Sequence, residues 1–139
     1  MGYGELLHKS EQRTISPAIC VYIDANGLHE LNNERRHEVG DLMLRFVAES
    51  LMEQFPKGSL YRVGGDEFVV FPAPAEGQTC EDRMRSASAS ITAQGYSISY
   101  GIAAHESVVG LRELVREADE KMLESKRAYY AEHDRRVRK

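Results

Sequence analysis

Six consecutive apolar residues, Ala18-Ile19-Cys20-Val21-Tyr22-Ile23, stop abruptly at Asp24. A run that is continuously apolar and partly β-branched predicts a strand buried on both faces. A sheet built on it must be covered by helices, and the chain offers several. Over residues 34–54, Val39, Leu42, Met43, Phe46, Val47 and Leu51 recur at helical spacing. Leu111, Leu114, Val115, Ala118 and Met122 form a second stripe on a long helix beginning near residue 111. Shorter helices are predicted at residues 3–12 and 81–94, the latter turning Met84, Ala87, Ser88 and Ile91 inward.

Further strands lie between the helices. Leu60-Tyr61-Arg62-Val63 and Phe68-Val69-Val70-Phe71 flank Gly64-Gly65 as a hairpin. Tyr96, Ile98, Tyr100 and Ile102 alternate with Ser97, Ser99 and Gly101, the pattern of another strand. The Asn26-Gly27 pair is a turn signal. The order helix, strand, helix, hairpin, helix, strand, helix predicts an α+β domain with helices packed on a sheet. At 139 residues the chain suits a single domain, residues 1–139, without repeats.

With 42% hydrophobic and 29% charged residues, disorder is excluded. A net charge of −4 argues against nucleic-acid binding by broad phosphate attraction, though not against a nucleotide substrate. Two cysteines, Cys20 and Cys80, make neither a disulfide framework nor a zinc cluster, so a reducing cytoplasm is expected. No stretch approaches the ~20 apolar residues that span a bilayer, so no membrane contact is expected of this segment. The basic end, Arg135-Arg136-Val137-Arg138-Lys139, suits a helix C-terminus electrostatically; no nucleic-acid partner is assigned to it.

Asp24 is the first residue that points to chemistry. An acid ending a buried strand is costly unless paired or metal-bound. If that strand lies beside the hairpin, Asp24 and Asp66 converge. Two carboxylates ~4 Å apart repel by roughly 4 kcal/mol at an effective dielectric of 20, and a divalent cation reverses that sign. Oxygen-only ligation favours Mg²⁺ or Mn²⁺. Gly64 and Gly65 permit close backbone approach and φ > 0. Strand alternation lets only one of Asp66 and Glu67 face a given site. The plain alternative is a Gly-Gly turn followed by surface acids. Asn32 and Asp41, with His37 and Gly40, read either as helix-start residues or as an amide and a carboxylate able to recognise a purine. Lys126 continues the Met122 stripe and is either a lysine snorkelling from a core edge or a phosphate ligand.

These motifs, in this order, resemble the GGDEF family of bacterial diguanylate cyclases. The resemblance rests on Arg62-Val63-Gly64-Gly65-Asp66-Glu67-Phe68, on Asp24-x-Asn-Gly-Leu with Asn32 and His37-x-x-Gly40-Asp41, on Ser99-Tyr100-Gly101, and on Ala118-Asp119, Met122 and Ser125-Lys126, from about residue 18 to 127. It implies an antiparallel-rich central sheet flanked by helices, the palm-like fold of nucleotidyl cyclases, and the condensation of two GTP into cyclic di-GMP. Asp24, the Ala25 carbonyl and Asp66 would hold Mg²⁺ or Mn²⁺, and Glu67 would support the metal or deprotonate the 3′-hydroxyl. Asn32 and Asp41 would bind guanine, with Gly64, Gly65, His29 and Lys126 near the phosphates. Because one domain holds one GTP, a homodimer is implied, driven by an N-terminal sensory or dimerising domain of the parent protein. The alternative is a weak or inactive module that binds GTP or a protein.

The chain also departs from the family. His29 and Tyr130 replace a common lysine and arginine. Phe55 and Gly58 occupy the usual product-feedback positions, so feedback there is not expected. The family's Leu-Thr-Gly-Leu opening is absent, so the chain either starts inside the domain or has diverged there. Residues 71–95 form a shorter segment than is usual.

Overall fold

The computed structural model describes residues 1–26, 36–56, 58–73 and 79–137. The apolar run becomes strand β2, Ala18–Ala25, preceded by helix α1 (Tyr3–Ser10) and strand β1 (Thr14–Ile15). Helix α2 (Arg36–Gln54), strands β3 (Leu60–Arg62) and β4 (Glu67–Val70), and helix α3 (Cys80–Ala93) follow. Strand β5 (Ile98–His105), strand β6 (Val108–Val109) and helix α4 (Arg112–Val137) complete the chain.

The main sheet has the order β3-β4-β2-β5, every neighbouring pair antiparallel. β2 is therefore central, as its unbroken apolar run requires. Its odd residues Val21, Ile23 and Ala25 pack with Phe68 and Val70 against Met43, Leu44, Val47 and Leu51 of α2 and Met84, Ala87 and Ile91 of α3. Ala18 and Cys20, with Val69 and Ala103, pack on the other face against Leu7 of α1, Leu111 just before α4, and Leu114, Val115 and Ala118 of α4. The chain is thus α+β, an antiparallel sheet flanked by helices. Cys20 is fully buried, and burial pushes its thiol up to about 12, so it behaves as a small hydrophobe.

Some details differ from the sequence pattern. On α2, Val39 and Leu42 are exposed, whereas Leu44 is buried. The buried face follows Gly40, Met43, Leu44, Val47 and Leu51, so the apolar stripe is rotated relative to the predicted one. On β5 the small face is the better covered: Ser99 and Ala103 are fully buried while Tyr100 and Ile102 are half-buried. The reason is α4. A Cβ on Gly101 would overlap the Ala118 carbonyl oxygen, the Met122 backbone nitrogen and the Lys121 Cβ. Only a small-residue face admits a helix backbone that close.

The two-residue strands β1 and β6 pair Thr14 with Val109 and Ile15 with Val108, too short a ladder to leave a period in the sequence. They tie α1 to the start of α4, where the Leu111 N–H donates to Ser10 Oγ at 3.1 Å. Thr79 caps α3 by accepting from the Asp82 N–H at 3.2 Å. Among the described residues no helix is long and apolar enough to cross a membrane.

Candidate active site

β2 and β4 lie side by side in a register that sets Asp24 opposite Glu67, and β5 sets Ser99 opposite Asp24 from the other side. Directly opposed residues share a face, so Asp24, Glu67 and Ser99 all turn toward α4. The hairpin closes with the Val63 N–H donating to the Glu67 carbonyl at 3.0 Å, and the Ala25 N–H donating to the Asp66 carbonyl at 3.0 Å. Asp66 precedes β4, so strict strand alternation does not govern it, and its charge and that of Glu67 both act on Asp24.

Asp24 is 3% exposed. Its Oδ2 accepts from Lys126 Nζ at 2.6 Å, whereas Oδ1 is buried without a hydrogen-bond partner. Burial pushes the Asp24 carboxyl up to about 6; the Lys126 hydrogen bond opposes this, and the Asp66 and Glu67 charges add to it. Burial works against the Lys126 ammonium, but the hydrogen bond and charge of Asp24, with the charge of Asp66, raise its pKa. Lys126 therefore leaves the helix edge and reaches the end of the central strand. Asp119, one of the polar positions on α4, has its carboxyl raised by burial and by the Glu67 and Glu120 charges.

The glycines act through space rather than through unusual dihedrals. Neither Gly64 nor Gly65 has a left-handed φ; a Cβ at Gly64 would sit 3.2 Å from Glu67 Oε1, and one at Gly65 would meet nothing within 4 Å. The turn is braced by Arg62, whose Nη2 donates to the Gly65 carbonyl at 2.6 Å and whose Nε donates to the Gly64 carbonyl at 3.3 Å.

Asp41 is positioned elsewhere. With Leu44, Arg45, Ala48, Met52, Leu60, Arg62 and Phe68 it lines a cleft of about 530 Å³ between α2 and the hairpin. His29, Asn32 and Gly27 lie outside the described residues. At the positions read as lacking a feedback pair, Phe55 is buried beneath the Arg83 guanidinium, 5.7 Å from its ring centroid, and Gly58 has a φ of +94°. Tyr130 packs edge-on against Tyr129, ring centroids 5.0 Å apart.

Sequence reasoning missed a buried polar brace. Asn26 donates through Nδ2 to Ser97 Oγ at 3.0 Å and accepts at Oδ1 from Ser99 Oγ at 2.8 Å, and its backbone N–H donates to the Ser97 carbonyl. Asn26 stands two residues after Asp24, so alternation places both on one face; that spacing was the available signal. Tyr22, two residues before Asp24, has its hydroxyl pKa raised by burial and by a hydrogen bond to Glu67.

The donor set near Asp24 is all oxygen, and an unpartnered buried carboxylate oxygen is suited to a cation. Among the described residues, no three His, Cys, Asp or Glu side chains group closely enough to hold an ion unaided.

A family model described as "Diguanylate cyclase, GGDEF domain" matches residues 4–131, extending upstream of the motifs noted above. Diguanylate cyclase DgcS of Shewanella oneidensis is 29% identical over 122 residues, 83% of this chain and 41% of that protein. Probable diguanylate cyclase DgcI of Escherichia coli is 31% identical over 115 residues, 78% of this chain and 25% of that protein. The chain thus spans less than half the length of these curated relatives. Among solved structures, the GGDEF domain of DgcB from Caulobacter crescentus, in complex with c-di-GMP, superposes with a TM-score of 0.70 at 20% identity, covering 90% of this chain and 82% of that one. At that identity the likeness carries the fold alone, and it agrees with a family match spanning nearly the whole sequence: the chain belongs to the GGDEF family.

Proposed function

We propose that this chain is the catalytic domain of a metal-dependent diguanylate cyclase, which condenses two GTP into cyclic di-GMP and releases two pyrophosphates as a homodimer. The observation that carries the reading is Asp24, a buried carboxylate with one unpartnered oxygen, set beside the Asp66-Glu67 hairpin and reached by Lys126. Asp24 and Asp66, with the Ala25 carbonyl, would hold Mg²⁺ or Mn²⁺. Two carboxylates are enough for such ions in phosphoryl-transfer sites, because substrate oxygens and water complete the shell. When bound, the metal polarises the α-phosphate and neutralises the leaving pyrophosphate.

The side chains then have distinct tasks. Glu67 accepts the proton of the attacking 3′-hydroxyl or braces the metal ligands. The 3′-oxygen forms a bond to the α-phosphorus of the second GTP as the bond to the β-phosphate oxygen breaks. Gly64 and Gly65 lie against the phosphates, with Lys126 supplying a cationic contact and His29, where the family commonly has a lysine, supplying less charge at neutral pH. Asn32 and Asp41 read guanine, Asp41 accepting from N1–H and the N2 amine. The cleft lined by Asp41, with Leu44, Leu60 and Phe68 as apolar walls, supports a flat base there. One domain presents one GTP, so a second copy must face it, brought together by a sensory or dimerising domain in the parent protein. GTP as substrate and two free cysteines suit the cytoplasm.

A dimerised preparation incubated with GTP and Mg²⁺ should yield cyclic di-GMP by mass spectrometry, and Asp66→Ala should abolish it. A well-folded dimer that makes no product would sink the proposal. Tyr130, standing where the resemblance expects an arginine, favours one alternative: a regulatory module that binds GTP without turnover. Calorimetric GTP binding by a dimer that makes no product would support it.

A further inference from the structure

We infer that Lys126 and the divalent ion compete for the Asp24 carboxylate, so that metal entry releases the lysine to the nucleotide phosphates. This rests on the cyclase reading above and adds an order of events to it. The Lys126 ammonium holds Asp24 Oδ2 at 2.6 Å, and the side chains are 28% and 4% exposed. That is a short, largely buried ion pair rather than a screened surface contact.

A divalent ion ligated by either Asp24 oxygen at ~2.1 Å would lie within a few ångströms of Nζ. Two like charges that close, in a site shielded from water, repel strongly. Among the described residues, the charges besides Lys126 that act on Asp24 are acidic, Asp66 and Glu67 from the hairpin. Asp119 from α4 lies near enough to Glu67 for its carboxyl to be raised, and Arg62 is turned to the Gly64 and Gly65 carbonyls. The acids draw in either cation, so they do not decide between them.

Lys126 is built to yield. Its ammonium sits on a flexible four-carbon stem, and part of the side chain reaches solvent. Asp24 cannot yield, being fixed in the central strand between β4 and β5. Its second oxygen, without a partner while Lys126 holds the first, is the point of entry for the metal. The lysine thus neutralises Asp24 until the metal takes over, and only then is its charge available to a phosphate. Metal and nucleotide binding become coupled through one side chain, and by linkage each tightens the other.

The test is a Mn²⁺ titration of the full chain without nucleotide, followed by electron paramagnetic resonance. The proteins are wild type, Lys126→Met, Lys126→Gln and Asp24→Asn, each checked for folding by its melting curve. Removing the competing cation should tighten Mn²⁺ binding about tenfold in both lysine variants, the equivalent of about 1.4 kcal/mol. GTP binding should fall on removing the lysine only when Mn²⁺ is present. Unchanged or weaker Mn²⁺ affinity in both lysine variants, with binding still lost in Asp24→Asn, would overturn the competition and leave the metal site standing. Mn²⁺ binding indifferent to Asp24→Asn would remove the metal reading itself, and the competition with it.

Discussion

At the scale of single residues, Asp24 combines two conditions that folding alone does not favour: near-complete burial and an oxygen without a partner. An unmade hydrogen bond of this kind costs about 1–3 kcal/mol. Its consequence for pH can be worked out. The folded carboxyl titrates at about 6, above its unfolded value near ~3.9. The folded chain therefore binds this proton more tightly than the unfolded one, and the associated stability, present below about pH 4, is lost as pH rises through about 6. Asp24→Asn should remove that dependence. The difference in unfolding free energy between wild type and variant should move by on the order of 2 kcal/mol between pH 4 and 7 in denaturant titrations. A difference flat across that range would show that Asp24 is not perturbed. Asn26 acts on the same strand end in another way: its amide is satisfied on both sides by Ser97 and Ser99, which holds the backbone just beyond Asp24 and Ala25.

At the scale of elements, the site depends on how closely α4 approaches β5. Lys126 lies one turn beyond Met122, which is fully buried, and Met122 packs where Gly101 leaves room. Gly101→Ala would set a methyl against helix backbone, which cannot move aside as a side chain would. We expect a loss of about 1–3 kcal/mol, the usual range for overpacking. We also expect α4 to shift enough to weaken the 2.6 Å Lys126–Asp24 pair. Thermal melts check the first expectation. The second can be followed by the Lys126 ammonium signal in nitrogen-15 NMR, which should lose its ion-paired character. An alanine variant as stable as wild type, with that signal intact, would contradict the packing account. Met122→Ala, by contrast, should cost about 2–5 kcal/mol through a cavity.

For the whole molecule, the proposed chemistry is incomplete in one copy, since in that reading the site around Asp24 and Lys126 serves a single GTP. The rate of cyclic di-GMP formation per chain should therefore rise with protein concentration and level off in a tethered dimer. A specific activity constant across a hundredfold dilution would count against the face-to-face arrangement. Phe55 lies buried under Arg83 where a surface Arg-x-x-Asp pair would be needed, so added product should not inhibit through that position.

Much of this was written in local pattern. The apolar run ending at Asp24 marked the central strand, and the stripe from Leu111 to Met122 marked the long helix, because burial repeats with the period of each element. The hairpin with Asp66 and Glu67 was legible for the same reason. Tertiary packing decided the rest. Whether the small or the large face of β5 would be covered depended on a helix more than a dozen residues away, and the helix chose the side where Gly101 admits its backbone. The rotation of α2, which exposed Val39 and Leu42 and buried Leu44, was likewise set by the sheet beneath it. The sequence by itself determined which residues carry charge and which strand end is costly to bury. Only the tertiary structure decided that Lys126, 102 residues from Asp24 along the chain, is the cation that meets it. Spacing along a chain carries no such information; an ion pair across a sheet forms only once strand register and helix packing have set both ends.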